Sequence, residues 1–228
     1  MKAIIVYSGG LDSTTLLYEF RRSIALAVSF DYGSKHNARE ISFAREHCRK
    51  LGIEHLVIPL SFIGQYFRSS LLKGGGAIPE GNYAGENMHS TVVPFRNGIM
   101  LSVAVGLAES RNLDTVLIAN HSGDHEIYPD CRPGFIDAFD AAAHEGTYNG
   151  VRILSPYCNI SKREIALRGH NLGIDYSTTW SCYKGGLLHC GTCGTCIERR
   201  EAFLQAGVAD PTPYVTTPPL PPKPTPVS

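Results

Sequence analysis

A short apolar run, Ala3-Ile4-Ile5-Val6-Tyr7, stops at Ser8-Gly9-Gly10-Leu11-Asp12-Ser13-Thr14, and a helical pattern begins inside that segment. No other feature constrains the chain as tightly. A strand that ends in paired glycines and restarts at once as a helix presents a nest of backbone N–H groups at the positive end of a helix dipole, and such an arrangement binds phosphate. Glycine at positions 9 and 10 lets the backbone approach a ligand closely and reach positive φ at little cost. Ser8, Ser13 and Thr14 add hydroxyl donors, and Asp12 supplies the hard oxygen ligand that Mg²⁺ takes. The spacing matches neither the dinucleotide fingerprint nor the lysine-containing P-loop, for no Gly-Lys-Ser/Thr follows. With Leu11 and Thr15 completing the first helical turn, Ser8 to Thr15 form the candidate nucleotide-binding set.

The rest of the chain repeats the strand-and-helix theme. Ile24–Phe30, Leu56–Leu60 and Thr115–Ala119 are apolar runs of the kind buried on both faces of a sheet. Asp12–Arg21, Asn37–Leu51 and Asn97–Glu109 have helical length and periodicity. This alternation predicts an α/β fold, a doubly wound and mostly parallel sheet. Asp31, at the end of the second strand, lies where such sheets bind ligands and joins the nucleotide set. Gly64–His89, with its Gly74-Gly75-Gly76 run, reads as a long irregular stretch, either a functional lid or a disordered loop.

Cys182, Cys190, Cys193 and Cys196 follow a C-x7-C-x2-C-x2-C spacing amid four glycines. Four thiolates so placed predict a closed tetrahedral zinc site, one ion per chain, stapling residues 180–199 to the body. An iron–sulfur cluster is the rival, since C-x2-C-x2-C also occurs in ferredoxin-type runs. Cys48 and Cys158 read as small buried hydrophobes, and Cys131 shows no His–Asp partnership that would make it a nucleophile.

Composition narrows the partners. Of the 228 residues, 21 are Lys or Arg and 21 Asp or Glu, so no net charge draws the chain to nucleic acid or an anionic membrane. No apolar run reaches the ~18–20 residues of a membrane span, and the first apolar run is too short for a signal peptide. An odd total of seven cysteines argues against a secreted disulfide framework. The expected setting is the cytoplasm. Eight of the 14 prolines fall after Asp210, so residues 1–210 read as one domain and 211–228 as an extended, largely unpacked tail.

The first loop resembles the SGGxDS pyrophosphate loop of the N-type ATP pyrophosphatases. Taken with the four cysteines and with Phe30-Asp31-Tyr32-Gly33, Val93-Pro94-Phe95-Arg96-Asn97, Tyr128-Pro129-Asp130-Cys131-Arg132 and Thr179-Trp180-Ser181-Cys182-Tyr183, it resembles the 7-cyano-7-deazaguanine synthase family over roughly residues 2–207. Phe95 departs from that pattern, which has glycine between Pro94 and Arg96. The resemblance implies a queuosine-pathway ligase that makes a nitrile from 7-carboxy-7-deazaguanine and ammonia. ATP would adenylate first the acid and then the amide, and no protein side chain would become covalently attached.

Under that resemblance ATP, Mg²⁺ and Zn²⁺ are the expected cofactors, and a homodimer is the expected assembly. Asp12, Arg96 and Lys162 become the catalytic candidates, Arg96 at a helix start and Lys162 behind a Ser161 cap; either cation could equally be a solvated helix end. Asp124, Tyr128, Asp130 and Arg132 are candidates to read the purine-like base, although turn chemistry around Pro129 accounts for the same residues. His36, His89, His121 and His125 do not separate from ordinary surface or core histidines. Two other readings remain at this point. One is a tRNA-thiolating relative with an iron–sulfur cluster, and the other is a non-catalytic ATP-binding zinc scaffold.

Overall fold

The computed structural model describes residues 2–83 and 86–222. Five strands, β1 (Ala3–Val6), β2 (Ile24–Asp31), β3 (Glu54–Pro59), β4 (Thr115–Leu117) and β5 (Arg152–Leu154), form one sheet in the order β3-β2-β1-β4-β5, every pair parallel. Parallel strands need crossover connections, and helices supply them: α1 (Leu11–Glu19), α2 (Asn37–Leu51), α4 (Arg96–Ser110) and α5 (Pro133–Glu145). Between β3 and α4 lies a short α3 (Ser61–Tyr66), and α6 (Lys162–Asn171) and α7 (Gly194–Ala206) close the chain.

Alternation along β1 assigns the two faces. Ile4 packs with α4 and α5 side chains such as Leu101, Ala104 and Ile136. Ala3, Ile5 and Tyr7 face the other way, onto Leu16 and Leu17 of α1, Ala44 of α2, Ile165 of α6 and Phe203 of α7. Both faces are therefore covered, as the apolar character of the strand runs requires. Each fully buried Ile or Leu in these layers contributes about 1.5–3 kcal/mol relative to an exposed one.

The strand order reverses at β1. Chain connections leave β1 toward β2 on one side, and β4 adds on the other, so the carboxyl ends of β1 and β4 flank a crevice. Ser8–Gly10 and Ala119–His121 meet there.

Two expectations need correction. Gly64–His89 is not loose along its described length: Leu71 and Leu72 are core residues, and Lys35 Nζ donates to the carbonyls of Ser70 (2.8 Å) and Gly76 (2.5 Å). Ala84 and Gly85 of that stretch lie outside the described residues. The tail is extended but not unpacked. The Val215 N–H donates to the His189 carbonyl (2.8 Å), Arg200 reaches the Pro218 carbonyl (2.6 Å), and Asn82 the Pro222 carbonyl (2.9 Å). Proline removes donors but leaves its carbonyls, and arginine and asparagine use them. Residues 223–228 of the tail lie outside the described residues.

Phe95 holds φ at 54°, in the left-handed region. Its ring lies under Gly98, where an added Cβ would sit 2.3 Å from it. A side chain is thus carried at a backbone position that favours glycine, and the space it needs is left by a second glycine one helical turn on.

Candidate active site

The loop after β1 turns on Gly9, whose φ of +86° only glycine adopts freely. A Cβ there would lie 2.4 Å from the Glu40 carbonyl oxygen, so the loop and α2 are packed backbone to backbone. The Gly9 carbonyl accepts from the Trp180 N–H at 3.1 Å. Ser8 Oγ accepts from the Gly10 N–H (3.1 Å) and lies 3.0 Å from Ser13 Oγ. The loop is therefore shaped by its own hydroxyls before any ligand arrives.

A cavity of about 210 Å³ opens over this loop. Ser8, Gly10, Leu11, Asp12 and Ser13 line it from one side, Arg96 and Lys162 from others, and Asp124 and Tyr128 from the β4 side. Six candidates stand outside its lining. Gly9 turns its back to α2. Thr14 is buried against the Tyr7 hydroxyl (3.1 Å), and Thr15 donates to the Leu11 carbonyl (2.9 Å) beside the Tyr176 hydroxyl. Asp31 is exposed at the end of β2, where it accepts from the Gly33 N–H (3.2 Å). Asp130 accepts from the Asn97 N–H (2.7 Å), satisfying a free donor in the first turn of α4, and Arg132 donates to the His125 carbonyl (2.9 Å) on the surface.

Lys162 is the first residue of α6. Ser161 Oγ accepts from the Glu164 N–H while Glu164 accepts from the Ser161 N–H, a reciprocal cap. That cap aims Lys162 inward, where Nζ lies 3.1 Å from Asp12 Oδ2 and 2.7 Å from Glu198 Oε2. Burial alone would depress the Lys162 pKa, but the carboxylates of Asp12, Glu198 and Asp124 outweigh it and hold the ammonium charged. His121, almost wholly buried, accepts from the Gly123 N–H through Nδ1 and turns Nε2 toward Asp124 and Glu198, 3.6 Å from each. Asp124 also accepts from the Tyr83 hydroxyl (2.9 Å).

Glu198, Glu40, Tyr83 and Tyr183 belong to this neighbourhood and were not singled out from sequence. Two signals existed: Glu198 follows Cys196 by two residues at a helix start, and Glu40 follows His36 by four, on one helix face. Tyr83 and Tyr183 lie in segments without periodicity, so nothing local marks them.

Beside the cavity, the four cysteine sulfurs all lie within 4.8 Å of one another. Cys190 and Cys196 Sγ are 3.9 Å apart, against the ~3.8 Å that thiolates keep around a tetrahedral ion with ~2.3 Å bonds. Cys193 caps α7 and Cys196 sits in its first turn, so two ligands ride on one helix end. Backbone N–H groups of Cys190, Thr192 and Cys193 point at sulfurs at 3.2–3.4 Å, as thiolates favour. The cluster can hold a metal ion.

A parallel sheet whose phosphate-type loop sits at the switch point places the chain among the PP-loop α/β proteins. It belongs to the family of queuosine biosynthesis protein QueC, whose model matches residues 2–207. A 7-cyano-7-deazaguanine synthase from Porphyromonas gingivalis is 66% identical over 212 residues, 93% of this chain and 96% of that protein. Proteins of the same name from Desulfotalea psychrophila (52% identical, 93% and 98% covered) and Rhizobium etli (50%, 94% and 92%) agree. Among solved structures, the U34-tRNA thiolase NcsA from Methanococcus maripaludis, with its iron–sulfur cluster, superposes with a TM-score of 0.50 at 16% identity. That match covers 89% of this chain and 63% of the thiolase, and at such identity the likeness concerns the fold alone. The chain is an enzyme of queuosine biosynthesis, with the ligase activity of the 7-cyano-7-deazaguanine synthases. Among the described residues no helix is long and apolar enough to cross a membrane.

Proposed function

We propose that the cavity over Gly10 takes ATP and 7-carboxy-7-deazaguanine together, and that the enzyme converts the acid to a nitrile through two adenylations with ammonia as nitrogen source. One observation carries this reading: the glycine loop, two half-buried cations and a tyrosine-rich wall line one cavity. The N–H groups and hydroxyls of Ser8, Gly10 and Ser13 bind phosphate oxygens, while Gly9, Leu11, Thr14 and Thr15 fix the turn that presents them. Lys162 and Arg96 neutralise charge that develops on the phosphates as the carboxylate oxygen attacks. Tyr83, Tyr128 and Tyr183 offer faces for a fused-ring base, and Asp124 accepts from its N–H groups.

Asp12 fits a Mg²⁺ ligand, since its Oδ1 has no hydrogen-bond partner and three carboxylates surround Lys162. A divalent cation there screens phosphate charge when ATP is bound. The cysteine cluster fits zinc by its sulfur spacing, and its role is structural, for four thiolates leave no open coordination position. The setting is the cytoplasm, and a homodimer is the assembly we expect.

The deciding assay supplies the deazapurine acid, ammonia and ATP and identifies products by mass spectrometry. The nitrile should appear with AMP and pyrophosphate. Absence of ATP consumption with all three present would refute the reading.

A further inference from the structure

The amide-forming step has a proton problem. At neutral pH ammonia is mostly ammonium, which has no lone pair with which to attack. Three carboxylates line the cavity among the described residues: Asp12, Glu40 and Asp124. Asp12 is ion-paired with Lys162 at 3.1 Å, and Asp124 accepts from the Tyr83 hydroxyl and from the His121 N–H. Among the described residues Glu40 makes no such hydrogen bond and pairs with no lysine or arginine. Its carboxylate has His36 Nε2 at 3.6 Å as polar neighbour, and its own backbone abuts Gly9 of the phosphate loop.

The surroundings of Glu40 suit a small cation. His36 packs its ring 5.2 Å from that of Tyr183 and 6.5 Å from that of Tyr32, so an aromatic wall stands beside the carboxylate. The charged and titratable groups facing Glu40 are His36 on its own helix and, from outside it, Tyr32, Tyr183 and Arg96. Arg96 is held by the Tyr32 hydroxyl at 3.0 Å and lies over that ring.

We propose that Glu40 is the general base that receives ammonium and takes one of its protons. This deepens the function proposed above and rests on it. The freed lone pair forms the C–N bond to the acyl-adenylate carbon. As the tetrahedral adduct collapses, the C–O bond breaks, its electron pair leaves on the AMP phosphate, and the surplus N–H proton departs with that phosphate. Glu40 then returns its proton to solvent. Burial raises the Glu40 carboxyl to about 8, against the pull of Arg96, so about a tenth of it is ionised and able to accept a proton at pH 7, and that fraction grows as pH rises.

The test compares two nucleophiles in wild type and Glu40→Gln at pH 7. Hydroxylamine is already unprotonated there and needs no base to trap the acyl-adenylate as a hydroxamate. Glu40→Gln should keep acid-dependent pyrophosphate exchange and hydroxamate formation within a few-fold, while ammonia-dependent product falls by about 10²-fold or more. Raising the pH, which supplies free ammonia, should restore part of that loss. Retained ammonia-dependent turnover would overturn the assignment, and so would an equal loss with both nucleophiles. If the wild type itself shows no acid-dependent exchange, the proposed function falls and this role with it. Should Glu40→Gln fail to fold, Glu40→Asp decides on the same assays: a drop confined to ammonia supports the base, and an equal drop overturns it.

Discussion

Lys162 Nζ lies 3.1 Å from Asp12 Oδ2, joining the first turn of α6 to the first turn of α1. The pair bridges two helix starts more than a hundred residues apart, and both side chains line the cavity. Removing Asp12 leaves Lys162 with Glu198, so the fold keeps a paired lysine while the site loses its proposed Mg²⁺ ligand. Asp12→Ala should therefore lower kcat/KM by about 10²–10³-fold with little change in Tm. Steady-state kinetics and a thermal melt check this, and near-normal turnover would contradict it.

Gly9→Ala should damage the loop through geometry alone. The new Cβ meets the Glu40 carbonyl at 2.4 Å and the Ala44 nitrogen at 2.9 Å, at a φ that alanine resists. Backbone atoms on both sides cannot swing away as a side chain would. Isothermal titration with ATP should show at least about tenfold weaker binding, equivalent to ~1.4 kcal/mol. Unaltered affinity would mean that α2 yields more easily than its packing suggests.

Cys193→Ser removes one sulfur from the cluster and alters the N-cap of α7. Zinc content should fall well below one per chain, and Tm should fall with it. Plasma mass spectrometry and calorimetry measure the two. Protein purified without oxygen should be colourless, and the broad visible absorption of an iron–sulfur cluster would displace zinc from the assignment.

Ending the chain after Asp210 removes Tyr214, whose hydroxyl donates to Asp210 at 2.6 Å, and the bonds from the Val215 N–H to the His189 carbonyl and from Arg200 to the Pro218 carbonyl. At about 1 kcal/mol for each of the three hydrogen bonds, plus the apolar area of one half-buried ring, the loss should be about 4–5 kcal/mol. Denaturant unfolding reads it directly. Equal stability of the two chains would show that the tail only rests on the surface.

The His36 and Glu40 pair shapes the pH dependence of folding. Burial lowers His36 to about 3 and raises Glu40 to about 8. The folded form binds fewer protons than the unfolded one at His36, so that contribution is present above pH ~6.5 and lost as pH falls toward 3. At Glu40 the sign reverses: stability is fully present below pH ~4.5 and is lost as pH rises through about 8. Between those limits wild type should lose up to about 1.4 kcal/mol per pH unit relative to Glu40→Gln. Urea titrations of both proteins at three pH values test the slope. A difference that does not change with pH would mean that Glu40 stays ionised in the folded protein.

The parts of this architecture that were legible in sequence are those encoded locally. The α2 boundaries follow from periodicity and a glycine at its end, the α6 start from Ser161 and Glu164, and the β1 loop from its glycines. The helix α5 and strand β5 were not foreseen: the strand has only three residues, of which Ile153 alone is buried, too few to show a period. Nor was α7, whose first turn is occupied by cysteines and glycine, residues that read as a knot and not as a helix. Two of the candidates outside the cavity, Thr14 and Thr15, share a cause. A run such as Ser13-Thr14-Thr15 offers consecutive hydroxyls, but helix geometry turns each by ~100°, so Ser13 lines the cavity while Thr14 and Thr15 enter the core. The tail was misjudged because proline content records lost donors and not the carbonyls that remain.

The bond from the Trp180 N–H to the Gly9 carbonyl has a wider meaning. It fastens the threshold of the cysteine knot to the glycine turn after β1, and Glu198, in the helix that Cys193 caps, fastens the other end of the knot to Lys162. A metal ion held by the four cysteines would therefore stiffen both ends of this connection to the proposed nucleotide site. Under the proposed function, withdrawing that ion should weaken ATP binding as well as lower Tm.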